Sequence, residues 1–188
     1  MNSPGTVLLT VGHGTLDETQ LGDLIVGCGI ERVIDVRRHP DDRANAAAAL
    51  PVLERIAEKR GFGYRWDERL GGRRELSPEE RATSPDSFWK VPQFRAYAAW
   101  TRGPEFRAGL EQLLEELRGA RTAVLCVETV WWRCHRRLVA DIVQMESSVP
   151  VLHLHHDGRR RPHPVSQGAR RRDDGLLVWD GVHGSRVR

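Results

Sequence analysis

Lysine is nearly missing from this chain: Lys59 and Lys90 are the two lysines among 29 basic residues. Its positive charge is therefore arginine, whose planar guanidinium makes bidentate contacts with phosphate or carboxylate. No apolar run approaches the roughly 18 residues of a membrane span, so no membrane partner is expected. The opening MNSPGTVLLTVGHG has no basic stretch ahead of its short apolar run, which favours a first strand over a secretory leader. Cysteine is scarce. Cys28, Cys126 and Cys134 are odd in number and lack framework spacing, as expected of reduced thiols in a cytoplasmic protein. A net charge of +3 leaves most arginines free to pair with the 26 acids, so charge alone does not identify a nucleic-acid partner.

The 188 residues, 39% hydrophobic and 29% charged, suit one soluble domain whose core needs no covalent staples. Strands are expected at 6–11, 32–37, 62–66, 122–127 and 149–154, and helices at 17–28, 44–60, 93–101, 105–118 and 133–145. Residues 67–92 read as irregular, or as concealing a short helix. This alternation predicts an α/β fold: a mostly parallel sheet with helices on both faces, in a single domain spanning 1–157. Residues 158–188 form an arginine-rich segment and tail. Their 158–175 stretch reads as a flexible basic arm, with a return to the body at 176–179.

In an open α/β sheet, ligands bind beyond the carboxyl ends of the strands. Those positions carry Gly12-His13-Gly14, then Asp35-Val36-Arg37-Arg38, then Glu128 followed by Trp131-Trp132-Arg133-Cys134-His135-Arg136. The runs TVGHG (10–14), DVRRHP (35–40), LGGRR (70–74), YAAW (97–100) and CVETVWWRCHRR (126–137) resemble the domain of unknown function 488 family. The resemblance covers about residues 6–155. It implies a Rossmann-like α/β fold and an intracellular bacterial protein. Some members of that family resemble DNA glycosylases that act on oxidised 5-methylpyrimidines.

Cleavage of an N-glycosidic bond passes through an oxocarbenium-like state, which needs a carboxylate beside the sugar and a second group to handle water or the leaving base. Asp35 and Glu128 are the candidate catalytic pair, expected to converge on one cleft. The plain alternative pairs Asp35 with Arg37 or Arg133 and uses Glu128 as a helix cap. The glycines of Gly12-His13-Gly14 allow close approach of a ligand, with His13 and His135 orienting a base or phosphate. Of Trp131 and Trp132, one is expected in the core and the other as a stacking platform for an extruded base. Arg37, Arg73, Arg133 and Arg136 are candidates for phosphates or base edges.

Cys126 and Cys134 read as inert core thiols. A zinc site built from them with His135 lacks Cys-x-x-Cys spacing and a fourth ligand, so neither metal nor cofactor is expected. His153, His155 and His156 read as a solvent-facing cluster. The resulting expectation is a cytoplasmic DNA N-glycosylase for a modified pyrimidine, with a hydroxymethylated cytosine or uracil implied by the resemblance and DNA as its partner. The alternatives are a nucleoside or nucleotide hydrolase or deoxyribosyltransferase, and a non-catalytic nucleic-acid-binding module.

Overall fold

The structure, a computed structural model, describes residues 6–40 and 45–181. The expected helix start at Ala44 and the tail beyond 181 lie outside those residues. Strand β1 (Leu8–Gly12) and strand β4 (Thr122–Cys126) are buried along their whole length, as central parallel strands covered on both faces must be. They are flanked by β2 (Arg32–Asp35), β3 (Gly63–Trp66), β5 (Val151–Leu154) and β6 (Arg160–Pro162), in the order β3-β2-β4-β1-β5-β6. All neighbours run parallel except β6, which pairs antiparallel with β5.

Right-handed crossovers decide which helix covers which face. The connections that step from β1 to β2 and from β2 to β3 carry α1 (Glu18–Gly27) and α2 (Leu50–Arg60). Both pack on one face, against Leu9, Val11, Val33, Ala123 and Leu125. The connections that step the other way carry α4 (Pro92–Trp100) and α5 (Pro104–Gly119), then α6 (Arg136–Ser147), on the opposite face. Strand periodicity follows: Ala123 and Leu125 point to the first face, Val124 and Cys126 to the second. Strand β2 leads into a helix on the first face and its neighbour β4 into one on the second, so their outgoing loops diverge and a crevice opens at the carboxyl ends of β2 and β4.

The local signals are chemical. Asp17 caps α1 reciprocally with Gln20, at 2.8 and 3.0 Å. In α5, Phe106, Leu110, Leu113 and Leu117 form the buried stripe. The stretch 67–92 does conceal a short helix, α3 (Pro78–Thr83), started by a Ser77–Glu80 capping box.

The arginine-rich stretch departs from expectation. It is built into the fold as β6 and as β7 (Ala169–Arg171), which pairs antiparallel with β8 (Leu177–Trp179). Its charges are engaged locally: Arg159 with Asp157 and Arg172 with Asp174, at 2.6 and 3.0 Å, and Arg170 with Asp180. Arg160 and Arg171 donate to the carbonyls of Cys28 and of Met145 and Glu146. Composition showed the charge but not that its partners lie within reach.

Asp86 fastens the long connection to β8. Its buried carboxylate accepts from Arg102 at 2.5 and 3.0 Å and from the Trp179 backbone N–H at 3.1 Å. Removing one member of a buried pair leaves the other charge uncompensated, at a cost of about 3–5 kcal/mol. Asp86→Ala is therefore expected to lower the unfolding free energy measured in urea by that amount, with a matching fall in the midpoint. A midpoint unchanged from wild type would show that the clamp is dispensable.

Candidate functional site

A cavity of about 240 Å³ opens at the carboxyl ends of β2 and β4. Strand β2 delivers Arg37 and Arg38, and β4 delivers Cys126, Val127 and Glu128. Helix α4 supplies Phe94 and Tyr97, the segment before α3 supplies Gly72 and Arg73, and the approach to α6 supplies Arg133, Cys134 and His135. Arg73 adopts a left-handed backbone (φ 56°), a conformation that costs a non-glycine residue roughly 1–2 kcal/mol. Its carbonyl accepts from Arg38, which fixes the two cavity arginines relative to each other. Glu128 is exposed where it meets the cavity.

The expected convergence of two carboxylates does not occur. Asp35 is completely buried and does not line the cavity. It accepts from Arg37 Nε at 2.9 and 3.1 Å, from Arg37 Nη2 at 2.6 Å and from the Arg37 backbone N–H at 3.0 Å. The Tyr64 hydroxyl donates to it at 2.7 Å. These donors fill the lone pairs a catalytic carboxylate would need, so Asp35 acts by holding Arg37. Burial, with the Asp35 charge beside it, pushes the Tyr64 hydroxyl far above the ordinary phenol range.

His13 also lies behind the cavity, at 1% exposure. Its Nδ1–H donates to the Gly14 carbonyl at 3.0 Å, and its Nε2 faces Arg37 Nη1 at 3.4 Å. Burial, reinforced by the Arg37 charge, lowers its pKa to about 4. A neutral His13 thus accepts from Arg37 and does not line the cavity. The backbone N–H groups of His13 and Gly14 donate to Cys126 and Val127 at 2.9 and 2.8 Å, so they are spent on β4 and not offered to an anion. Gly12 is required by close packing: a Cβ there would stand 1.8 Å from the Glu128 carbonyl oxygen.

Arg136, a candidate for phosphate, is 1% exposed. It donates to the Glu128 carbonyl and, at 3.4 Å, to Cys134 Sγ, and so braces the turn that presents Glu128. Trp131 is half-buried and stacks on His153 with ring centroids 4.1 Å apart, whereas Trp132 is 51% exposed. The pair thus divides between packing and surface.

His153 is not solvent-facing: it is the second member of a buried chain. Thr10 Oγ1 lies 2.7 Å from His153 Nδ1, His153 Nε2 lies 2.9 Å from His163 Nδ1, and His163 Nε2 lies 2.8 Å from Asp141. Trp179 Nε1 donates to the other Asp141 oxygen at 2.8 Å, which ties the C-terminal hairpin to α6. His156 Nε2 meets the Gly12 carbonyl at 2.7 Å.

Sequence reasoning set aside the thiols that the structure brings to the cavity. His135 Nε2–H donates to the Val36 carbonyl at 2.9 Å, leaving Nδ1 as an acceptor. That Nδ1 stands 3.8 Å from Cys126 Sγ and 3.7 Å from Cys134 Sγ. Burial opposes ionisation of Cys134, but the Cys126 hydrogen bond and the neighbouring Arg136 charge hold its pKa well below the ordinary thiol value. Cys126, the donor in that bond and itself buried, is pushed well above it. The GG of LGGRR makes room for this group: a Cβ on Gly72 would lie 2.8 Å from His135 Nδ1. Tyr97 packs edge-on against the His135 ring, 4.9 Å between centroids, and its hydroxyl donates to the Leu70 carbonyl at 2.6 Å.

A family model described as Domain of unknown function DUF488 matches residues 20–143. The chain belongs to this family. The matched span contains every cavity residue named above, whereas Gly12-His13-Gly14 and the C-terminal hairpin lie outside it. No curated protein and no solved structure matches the chain.

Proposed function

We propose that this DUF488 protein is an N-glycosylase that removes a modified pyrimidine from DNA. One juxtaposition carries the reading: the exposed Glu128 carboxylate borders a cavity at the sheet's switch point, shared with Arg37, Arg38, Arg73 and Arg133. Glu128 stabilises positive charge developing at the sugar C1′ as the bond to the base nitrogen breaks. The base leaves with the bonding electron pair, arginine donors balance its negative charge or hold the flanking phosphates, and water adds to C1′ while its proton ends on the departed base nitrogen. Arg37 is held for that task by Asp35 and His13. Trp132 offers an exposed indole on which an extruded base can stack, a contact worth about 1–3 kcal/mol. A 5-hydroxymethylated cytosine or uracil is the preferred base, on family resemblance.

The local pairing of the arginines at 159, 170 and 172 favours a second reading, in which the same carboxylate hydrolyses or transfers the sugar of a small nucleoside or nucleotide. Incubation with oligonucleotides carrying different modified pyrimidines, followed by alkaline cleavage, separates the two when free nucleosides are assayed alongside. Glu128→Gln is expected to abolish base release with an unchanged melting temperature, because the side chain is exposed. Full base release by this variant would remove Glu128 from the chemistry. DNA binding with no base release from any oligonucleotide or nucleoside would leave a binding module.

A further inference from the structure

We infer that Cys126, Cys134 and His135 bind a zinc-class divalent cation through three protein ligands, with the fourth coordination position open to the cavity. The inference does not depend on which bond the protein cuts. The three donor atoms lie within 4.8 Å of one another, and all three residues line the cavity. Donors at about 2.3 Å (thiolate) and about 2.05 Å (imidazole) from a tetrahedral ion stand about 3.6 Å apart. The two sulfur-to-nitrogen separations here, 3.8 and 3.7 Å, need almost no adjustment to reach that value.

The surroundings are those of a ligand set and not of a chance contact. The Val36 carbonyl takes the proton on His135 Nε2, which fixes the tautomer and aims the Nδ1 lone pair between the two sulfurs. Arg136, buried behind the cluster, donates Nε–H to Cys134 Sγ at 3.4 Å, which offsets the charge that two thiolates would bring. Gly72 leaves the space beside Nδ1 free of side chain.

Two thiolates and an imidazole select zinc over magnesium or calcium, which take oxygen donors. Three ligands and an accessible fourth position describe a centre that holds water or substrate, unlike a closed structural site. The competing use of the thiols is a Cys126–Cys134 disulfide. That bond would leave His135 Nδ1, aimed at both sulfurs, without a partner.

The test uses the full chain, purified in reducing buffer, stripped with a chelator and titrated with zinc chloride or cobalt(II) chloride. The expected result is about one tightly held metal per chain, a rise in melting temperature on adding zinc, and a thiolate-to-cobalt charge-transfer band with visible bands of a four-coordinate ion. Cys126→Ser, Cys134→Ser and His135→Gln should each weaken zinc binding by more than the about 10–100-fold typical of outer-shell changes. Cys28→Ser, on the opposite face of the sheet, should bind zinc as wild type does. Serine in the core can unfold a protein, so the unsubstituted chain decides by itself. Reduced wild-type protein that retains no zinc and shows no charge-transfer band overturns the inference. So does zinc binding that survives in a folded Cys126→Ser variant, or a reversible Cys126–Cys134 disulfide in a chain that takes up no zinc when reduced.

Discussion

Asp35→Asn is expected to cost about 3–5 kcal/mol of stability and to stop the proposed base release at the same time. Arg37 is 4% exposed, so losing its counter-charge strands a guanidinium away from water. The Tyr64 hydroxyl and the Arg37 backbone N–H would also meet a weaker, partly mismatched acceptor. Reading the sequence alone, one expects this substitution to spare the melting temperature, as it should for a carboxylate poised in a cleft. The buried pair reverses that expectation. Removing both charges, as in Asp35→Asn combined with Arg37→Gln, should recover part of the lost stability, because no lone charge then remains. Activity should stay absent, since Arg37 lines the cavity. Urea denaturation of Asp35→Asn, of Arg37→Gln alone and of the double variant measures the coupling. An Asp35→Asn protein with a wild-type midpoint and no activity would return Asp35 to the chemistry.

Acid should destabilise the fold well before carboxylates titrate. His13 and His153 are buried and neutral, with pKa values lowered to about 4 and about 3, in each case first by desolvation. In the unfolded chain each takes a proton near pH 6.5. The unfolded state therefore binds more protons than the folded state below that pH, and stability falls as pH falls. The contribution is complete above about pH 6.5 and is lost progressively towards pH 4. At about 1.4 kcal/mol per pH unit for each histidine, the loss reaches on the order of 4 kcal/mol for the pair by pH 5. The hydrogen bonds run one way, from Thr10 to His153 to His163 to Asp141, and a second proton on His153 would face the Thr10 hydroxyl. Denaturation midpoints of chelator-treated protein between pH 7.5 and 4.5 check this without a contribution from metal release. A flat profile between pH 7 and 5 would show that neither histidine is neutral through burial.

The parts of the site that could be read from sequence were those set by position along the chain. Placing Glu128, Arg37 and Arg133 beyond strand ends needed only the apolar runs TVLLTV, RVID and TAVLC and the rule that ligands gather there. The misread residues depended on direction and neighbours. Asp35 and Arg37 are two apart, and nothing in that spacing tells a carboxylate aimed into a cleft from one wrapped by its neighbour's guanidinium. Cys134 sits at helical spacing with Leu138 and both do lie in the core, but helix α6 begins only at Arg136, so the spacing did not show that the thiol also reaches the cavity. The turn before that helix swings the thiol back towards Cys126. His153 lies within alternating His153-His155, but β6 and the hairpin cover that edge of the sheet and close a polar chain around it.

Sequence alone settled the α/β class, the order of the main elements as far as β5 and the strand ends that carry the polar residues, because unbroken apolar runs and period-3.6 stripes record which parts of each element meet apolar surroundings. Only the tertiary structure decided which of those polar groups share a cavity. Burial and partner choice belong to pairs of residues brought together by crossovers, and a linear pattern holds no term for them. On that ground Asp35, His13 and Arg136 became supports, while two cysteines and a histidine moved to the centre.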